Sequence, residues 1–294
     1  MKSILHKIGI LIIALAGEAI KLRYRLFPWH HKNGLNPSPR KEGLLVVSLT
    51  SYGRRVSSVL PFTIISLLRH TCKPDMLVLW LDRDHWDDAN LPPQLQRLTH
   101  YGLTIRYCED IKSYKKLIPS LLEWPQAAIV TCDDDIFYKK DMVERLWKAY
   151  LSDPTRIYSH RAHQVTFCAD GMLKPYNDWD LEIRSGSGPS VFPTGGSGCL
   201  YKRELLHADV VRKDLFMRLA PKADDVWFYF MERLQGTECE VLPTKGRIYI
   251  PLDAFYQYFH QGASLSSTNC KENQNDVQIQ AVMEYYGLRA EDLR

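Results

Sequence analysis

Three consecutive aspartates, Asp133, Asp134 and Asp135, follow directly on an apolar run at residues 127–131. Carboxylates this close repel one another, and the cluster is costly unless a cation or hydrogen-bond donors compensate it. Mg²⁺ and Mn²⁺ take oxygen ligands and are commonly held by one or two carboxylates plus substrate phosphates. In an extended segment Asp133 and Asp135 would point the same way and Asp134 the opposite way. The cluster therefore predicts a divalent metal site; a solvated acidic turn is the alternative.

The elements that must position this cluster alternate regularly along the chain. Short apolar runs at 44–50, 76–82, 103–107 and 127–131 are separated by stretches of helical pattern at 57–70, 92–99 and 113–124. The alternation predicts right-handed βαβ crossovers, and hence an α/β fold with a mostly parallel central sheet flanked by helices. Beyond residue 150 the pattern loosens, with helices expected at 224–234 and 276–286 and strands at 240–242 and 247–250.

Charged side chains collect where these predicted strands end. The sequence TSYGRR (50–55) ends the first run, DRD (82–84) ends the second, and Glu109 and Asp110 follow the third. Parallel sheets bind ligands at the carboxyl ends of their strands. These residues and the aspartate triplet are therefore expected at one edge of the sheet.

The triplet within TCDDDIFY (131–138) resembles the DXD motif of GT-A-fold glycosyltransferases. Further segments extend the resemblance: VVSLTSYGRRV (46–56) and SYKKLIPSL (113–121) before the triplet, and PTGGSGCLY (193–201) and ADDVWF (223–228) after it. The ordered set resembles bacterial glycosyltransferases of cell-surface polysaccharide synthesis over residues 44–287. The resemblance implies a GT-A domain at residues 43–294 that transfers a sugar from a nucleotide-diphosphate donor.

The resemblance also implies a metal site. Asp133 and Asp135 would bind Mn²⁺ or Mg²⁺ at the diphosphate of the nucleotide sugar, and Asp134 would contact the ribose or the sugar. A late histidine would complete the metal shell, and His260 is the candidate by its order in the chain. Imidazole suits Mn²⁺ better than Mg²⁺, and a surface histidine is the alternative.

Donor contacts are implied for the loop after the first strand and for the acid after the second. The candidates are Thr50, Tyr52, Arg54, Arg55 and Asp82, with Asp84 as the alternative to Asp82. The tyrosine ring would pack on the base, and an arginine would reach phosphate. Solvated surface residues are the alternative, because exposed arginine is ordinary.

Two adjacent lysines, Lys115 and Lys116, precede the triplet on a predicted helix. An ammonium group there would neutralise the departing diphosphate. Adjacent residues on a helix lie about 100° apart, so one of the two, taken as Lys116, is expected to face the site.

The two motifs after the triplet are assigned to the acceptor. The glycine loop is expected to lie against a sugar, because glycine permits close backbone approach; its residues are Gly195, Gly196, Ser197 and Gly198. Asp224 and Asp225 stand at a predicted helix start, where carboxylates also act as caps. The resemblance implies that one is the general base on an acceptor hydroxyl. Asp225 is preferred, because Asp224 is better placed to cap.

The N-terminal segment, residues 1–42, differs from the rest. It holds eight Lys/Arg against Glu18 and Glu42, a charge of +6, which leaves −2 for residues 43–294. Its apolar core, IGILIIALA (8–16), is about half the length that spans a bilayer. The preferred interpretation is an amphipathic helix over residues 4–27 that lies on an anionic membrane surface, with Tyr24, Phe27 and Trp29 at the boundary and Lys21, Arg23, Arg25 and Lys32 towards the headgroups. A helix packed on the body and a cleaved signal peptide are the alternatives.

Composition excludes several classes of protein. The slightly acidic body is not that of a nucleic-acid binder. Seven scattered cysteines without a CxxC pair predict reduced thiols in a cytosolic protein rather than a zinc site. The sequence thus predicts a cytoplasmic, metal-dependent glycosyltransferase at the inner face of the membrane, acting on a glycan or lipid-linked saccharide. A metal-dependent nucleotidyl- or phosphotransferase and a non-catalytic, membrane-attached sugar-binding protein are the alternatives.

Overall fold

The computed structural model describes residues 2–29, 33–38, 40–244, 249–260 and 273–294. Lys32, Arg247 and Cys270, on which parts of the sequence analysis depend, lie outside these ranges.

The main sheet has eight strands in the order β3–β2–β1–β4–β11–β6–β12–β9. In chain order the strands are β1 (Leu45–Thr50), β2 (Met76–Asp82), β3 (Leu103–Cys108), β4 (Ala128–Cys132), β5 (Ile136–Tyr138), β6 (Ile157–Ser159), β7 (Ala162–Gln164), β8 (Asp180–Ile183), β9 (Gly186–Gly188), β10 (Val191–Pro193), β11 (Cys199–Lys202), β12 (Cys239–Val241) and β13 (Tyr249–Pro251).

The described α-helices pack on this framework. They are α1 (Lys2–Leu26), α2 (Arg55–Ser58), α3 (Leu60–Leu68), α4 (Pro93–Thr99), α5 (Ile118–Glu123), α6 (Met142–Ser152), α7 (Lys213–Leu219), α8 (Asp224–Gln235), α9 (Ala254–Phe259) and α10 (Gln274–Tyr286). Two small sheets complete the described structure: β10–β7–β8, and the antiparallel pair β13–β5.

The first half of the sheet is parallel. β1 pairs in parallel with both β2 and β4, and β2 pairs in parallel with β3. Successive β1 residues bury alternately into two apolar clusters: Val46 into one, and Leu45 and Val47 into the other. Since both faces of the sheet are covered, its strands are near-continuous apolar runs, the pattern from which they were predicted. The predicted α/β architecture with a mostly parallel central sheet flanked by helices is confirmed.

The second half of the chain extends the same sheet with mixed strand directions. β11 is antiparallel to both β4 and β6, whereas β12 is parallel to β6. This arrangement brings the segment before β11, which contains the glycine loop, beside the carboxyl end of β4. The glycine loop thereby lies against the aspartate triplet, although 63 positions separate Gly196 from Asp133.

Two predicted helices are each broken once. The 57–70 stretch divides at Val59, whose φ is −124°, and the 113–124 stretch divides at Leu117, whose φ is −126°. The next helix in each case carries a proline in its first two positions, Pro61 or Pro119. Proline has no N–H to continue a preceding helix but suits the first turn of a new one. The segment before the second break is a 3₁₀ turn, Lys112–Lys116.

Helix α1 packs against β13, α3 and α9. Gly17 lies so close to β13 that a Cβ there would stand 2.5 Å from the Pro251 carbonyl oxygen. Tyr24 and Trp29, expected at a membrane boundary, are both 8% exposed and belong to a core cluster of the body. Their placement corrects that expectation, because aromatic rings this size bury more surface in the protein core than at a rim. Within the described residues, no helix has the length and apolarity to cross a membrane.

A buried histidine gives the fold a testable acid sensitivity. His70 is 3% exposed, neither ring nitrogen has a hydrogen-bond partner, and burial, with His160 and Arg69 nearby, lowers its pKa to about 3. The unfolded chain takes up this proton near pH 6.5, whereas the folded chain does so only near its lowered pKa. Stability is therefore lost as the pH falls below about 6.5.

We expect this one group to lower the unfolding free energy by about 2 kcal/mol between pH 7 and pH 5. His70→Phe should remove that share of the pH dependence, as measured by urea unfolding at the two pH values. His100→Phe, at an exposed position, is the matched control and should keep it. Equal pH dependence in the wild type and His70→Phe would contradict the assignment.

Candidate active site

Six carboxylates gather at the carboxyl end of the parallel strands. They come from three separate parts of the chain: Asp133, Asp134 and Asp135 after β4, Asp224 and Asp225 at the start of α8, and Asp253 between β13 and α9. Three cationic side chains, Lys116, Arg54 and Arg55, pair directly with them. The negative groups thus outnumber the cations that pair with them.

Lys116 organises one half of the cluster. Its Nζ lies 2.9 Å from Asp224 Oδ2, 3.5 Å from Asp133 Oδ1 and 4.0 Å from Asp225 Oδ1. The lysine is 6% exposed. Burial alone would lower its pKa, but the three carboxylates hold that pKa well above its ordinary value. Lys116 therefore remains charged and joins the triplet to the start of α8.

The glycine loop forms the wall of this half. It is a buried 3₁₀ turn, Gly195–Ser197, and the Gly195 N–H donates to Asp225 Oδ1 at 3.0 Å. The Tyr138 hydroxyl donates to the Gly196 carbonyl and accepts from the Asp133 N–H at 2.8 Å. A Cβ on Gly196 would collide with the Asp133 carboxylate. Glycine is required here because a carboxylate occupies the space of its missing side chain.

Arg55 organises the other half. Its guanidinium lies 2.9 Å from Asp134 Oδ1, 3.2 Å from Asp135 Oδ2 and 3.5 Å from Asp253 Oδ2. Asp134 is 5% exposed and also accepts a 2.5 Å hydrogen bond from Ser51. The loop after β1 thereby fastens the triplet on the side opposite Lys116.

Asp253 and the start of α9, which lie outside the predicted motifs, contact this half. Asp253 forms a 2.5 Å ion pair with Arg54, whose guanidinium lies 3.1 Å from the centre of the Tyr256 ring. Gln257 donates to Asp135 Oδ2 at 2.9 Å. The first residues of α9 therefore contact both the β1 loop and the aspartate triplet.

The negative charge of the cluster contributes to raised pKa values at two aspartates. Burial raises the pKa of Asp135 to about 7; Arg55 opposes the shift, and Asp134 and Asp133 add to it. Burial likewise raises the pKa of Asp225 to about 6, against Lys116 and with Asp224. The resident cations do not fully compensate the carboxylates, so the site has electrostatic capacity for a further cation.

The donor set suits a hard divalent cation in part. Carboxylate oxygens are the ligands that Mg²⁺ and Mn²⁺ prefer, and the side chains of Asp133 and Asp135 are 40% and 16% exposed. In the part of the chain that the structure describes, no three His, Cys, Asp or Glu side chains converge as a metal site by themselves. The arrangement fits a cation that one or two carboxylates hold together with substrate phosphates.

Two expectations about the aspartates are wrong. Asp134 and Asp135 form a turn rather than an extended segment, so side chains do not alternate there, and both reach Arg55. Asp224 does not cap α8, whose N-cap is Ala223 without a side-chain cap; it pairs with Lys116 instead. The reason for preferring Asp225 thus changes: Asp225 is the carboxylate with the weaker ion pair and the raised pKa.

The two lysines separate as expected of adjacent residues. Lys115 is also buried but pairs with Asp110, away from the triplet, whereas Lys116 faces it. Asp82 is buried at the end of β2, where His85 binds it at 2.5 Å. Its role in donor binding stays a prediction, as does that of the exposed Asp84.

The remaining predicted residues lie at or beside the site. Thr50 donates to the Trp80 carbonyl at 2.8 Å and joins the ends of β1 and β2. Tyr52 is 47% exposed, with Arg55 5.6 Å from its ring centre. Ser197 and Gly198 complete the glycine loop, and Gly198 has a φ of 99°. His260 is exposed and stacks on Tyr256 at 4.0 Å, and metal binding by it stays a prediction.

Sequence analysis missed Asp253, Tyr256 and Gln257. They stand in PLDAFYQYFH, where a lone aspartate before a short helix is typical of an ordinary cap. Tyr138 was within the quoted motif TCDDDIFY but was given no role. Its position at the end of an acidic motif is a signal that could have marked it as a partner of the triplet.

Gly196 tests the close approach between the loop and the triplet. Gly196→Ala should lower the unfolding free energy by about 1–3 kcal/mol, because the new methyl group displaces the Asp133 carboxylate. Gly9→Ala in α1 is the control, since nothing lies within 4 Å of its Cβ position. Denaturant unfolding measures both, and equal stability of Gly196→Ala and wild type would contradict the geometry.

Comparison with known proteins gives matches in structure but none in sequence. No family model matches the sequence, and a search among curated proteins finds no match. Among solved structures, the chain is similar to a mannosyltransferase from Pyrobaculum calidifontis in complex with GDP-Man and Mn²⁺. The TM-score is 0.44 at 17% sequence identity, and the match covers 80% of this chain and 65% of that chain.

Proposed function

We propose that the protein is a metal-dependent glycosyltransferase. It would transfer a sugar from a nucleotide-diphosphate donor to a hydroxyl of a glycan or lipid-linked saccharide. The observation that carries this proposal is the carboxylate cluster at the carboxyl edge of the sheet, whose members outnumber the cations that pair with them. The DXD-like triplet and a second acidic pair both belong to this cluster. One half is suited to a cation with a diphosphate, and the other offers a carboxylate to an acceptor.

Asp133 and Asp135 are the residues that would hold the metal. Both side chains are accessible, and the burial of Asp134 against Ser51 and Arg55 leaves it a supporting role. When bound, a divalent cation would neutralise charge on the diphosphate. Its binding would also favour the ionised form of Asp135, whose pKa burial, with Asp134 and Asp133 nearby, raises to about 7.

Lys116 and Arg55 would stabilise the departing diphosphate. Each holds a fixed positive charge beside the triplet, with side chains 7% and 17% exposed. A cation that is positioned before the reaction stabilises developing charge without reorganisation. The exposed Tyr52 ring on the same loop is available to pack against the base.

Asp225 would act as the base on the acceptor. Its side chain is 30% exposed, and the Gly195 N–H fixes one of its oxygens. As the acceptor oxygen bonds to the anomeric carbon, the bond from that carbon to the phosphate oxygen breaks and the hydroxyl proton passes to Asp225. A pKa raised towards neutrality suits a carboxylate to this transfer.

The acceptor and its location complete the proposal. The basic N-terminal segment supports action at the inner face of a membrane, on a glycan or a lipid-linked precursor. Residues 1–42 carry a charge of +6, whereas the rest of the chain carries −2.

Donor binding tests the metal site. Titration of the purified chain with UDP, GDP and CDP, with and without Mn²⁺, is expected to show metal-dependent binding of one nucleotide by calorimetry. Asp133→Asn/Asp135→Asn should weaken that binding at least about tenfold, because the metal loses its protein oxygens. Asp141→Asn/Asp180→Asn, at two exposed positions outside the cluster, should bind as the wild type does. Binding that neither Mn²⁺ nor the double substitution alters would contradict the metal-dependent proposal.

Transfer kinetics test the base. Once a donor is identified, Asp225→Asn is expected to lower kcat by about 10²–10⁴ and to leave donor affinity nearly unchanged. Asp224→Asn should act differently, since it removes the closest partner of Lys116 and so weakens diphosphate stabilisation. If Asp225→Asn retains full transfer while Asp224→Asn does not, the base is assigned to the wrong residue.

A further inference from the structure

The exposed side of α1 is apolar along its whole described length. Apart from Ile10, the exposed apolar side chains of α1 from residue 8 onward are Ile8, Leu11, Ile12, Leu15, Ala19, Leu22 and Leu26. At about 100° per residue they fall within an arc of about 100°, so they form one continuous stripe. The six large ones are 48–64% exposed. We call these seven residues the α1 stripe.

The opposite side of α1 is fixed to the body. Gly17 lies against the Pro251 carbonyl, and Tyr24 stacks towards Phe137 with ring centres 5.9 Å apart. Both positions lie about 160–180° from the centre of the stripe. The helix therefore cannot turn the stripe inward without losing these contacts. Exposed apolar patches of this kind mark interaction sites in otherwise soluble folds.

Basic groups border the stripe. Arg23 and Arg25, exposed in the last turn of α1, lie on either side of the stripe at about 100° per residue. Glu18, the acidic residue of α1, is paired with Lys21 at 2.7 Å. An apolar face with a cationic border complements an anionic lipid surface.

We propose that the α1 stripe is the membrane-docking surface of this protein, and that it seats the helix in the plane of an anionic leaflet. The proposal deepens the membrane location given under the proposed function, and it rests on that function only for the nature of the acceptor. It differs from the sequence-based expectation in its anchors, which are aliphatic side chains of the stripe and not Tyr24 or Trp29.

Helix α9 extends the docking surface to the active site. It packs against α1, and its Tyr258 and Phe259 are 64% and 72% exposed. The preceding residues of the same helix, Tyr256 and Gln257, contact Arg54 and Asp135. A membrane that binds α1 would therefore be separated from the aspartate triplet by the short helix α9. This placement favours an acceptor whose saccharide is carried on a lipid.

Vesicle sedimentation tests the docking surface with the full-length chain. The wild type is expected to sediment with vesicles of about three parts phosphatidylcholine to one part phosphatidylglycerol, and less with phosphatidylcholine alone. Leu11→Glu/Leu15→Glu/Leu22→Glu should lower the partition coefficient at least about tenfold, because three inserted side chains are lost. Leu11→Gln/Leu15→Gln/Leu22→Gln should also lower it, which separates lost apolar area from added charge.

The matched control is Leu122→Glu/Met172→Glu/Leu181→Glu. These three residues are 52–65% exposed and lie outside α1, so the substitutions change charge and exposed apolar area to a similar extent. The control should sediment as the wild type does. Equal sedimentation of stripe and control variants, or no sedimentation of the wild type, would overturn the proposal. So would a wild-type dimer in light scattering that the stripe variant converts to a monomer.

Nucleotide binding separates this proposal from the proposed function. The stripe variant should retain the metal-dependent nucleotide affinity of the wild type, which also shows that it is folded. Vesicle binding by a wild type that binds no nucleotide would contradict glycosyl transfer and leave the docking surface in place. Nucleotide binding by a wild type that does not sediment with vesicles would overturn the docking surface and leave glycosyl transfer in place.

Discussion

Mutual repulsion of six carboxylates is the constraint on which the active-site edge depends. Asp133, Asp134, Asp135, Asp224, Asp225 and Asp253 are held together by the buried cation of Lys116 and by the guanidinium of Arg55. Burial of the Lys116 ammonium group, in a residue 6% exposed, would be costly without the carboxylates. The carboxylates would in turn repel one another without the ammonium group. Each partner is therefore tolerable only because the others are present. Loops after β1 and β4, the turn before α5 and the start of α8 are tied to one another by these charges, and the last two also by apolar packing of Tyr114 against Phe228.

Glycine makes this crowding sterically possible. The antiparallel pairing of β11 with β4 brings the Gly195–Ser197 turn against the triplet, where Asp133 occupies the space that a side chain on Gly196 would fill. The turn also supplies an N–H to Asp225. The backbone therefore both shapes the site and fixes the orientation of the carboxylate that is left with the least charge compensation.

Local patterns predicted the parallel half of the fold nearly to the residue, because β1, β2 and β4 are buried on both faces and are continuous apolar runs, whereas β3 at the sheet edge is only partly buried. The breaks at Val59 and Leu117 were missed, although Pro61 and Pro119 were visible signals. The triplet, Lys116 and Asp225 could be named from sequence because each stands in a motif. Asp253 could not, because its importance arises from an ion pair with Arg54 that spans 199 positions, and no local pattern encodes such a contact. The capping argument for Asp224 failed for the same reason: a distant lysine competes for the carboxylate more strongly than the helix end does.

The same long-range contacts give the N-terminal helix its orientation. An amphipathic pattern alone left open whether α1 lies on a membrane or on the body, and the structure shows one face packed on the body and an exposed apolar face. Gly17 permits the close approach to β13 that fixes one face, and the aliphatic stripe on the other face is left without a covering element among the described residues. Because β13 leads directly through Asp253 into α9, the surface that holds α1 and the residues that hold the triplet are parts of one continuous segment. The packing of α1 on β13 and the assembly of the active-site edge are thus linked by the chain itself, since a displacement of β13 would move Asp253 away from Arg54 and Arg55.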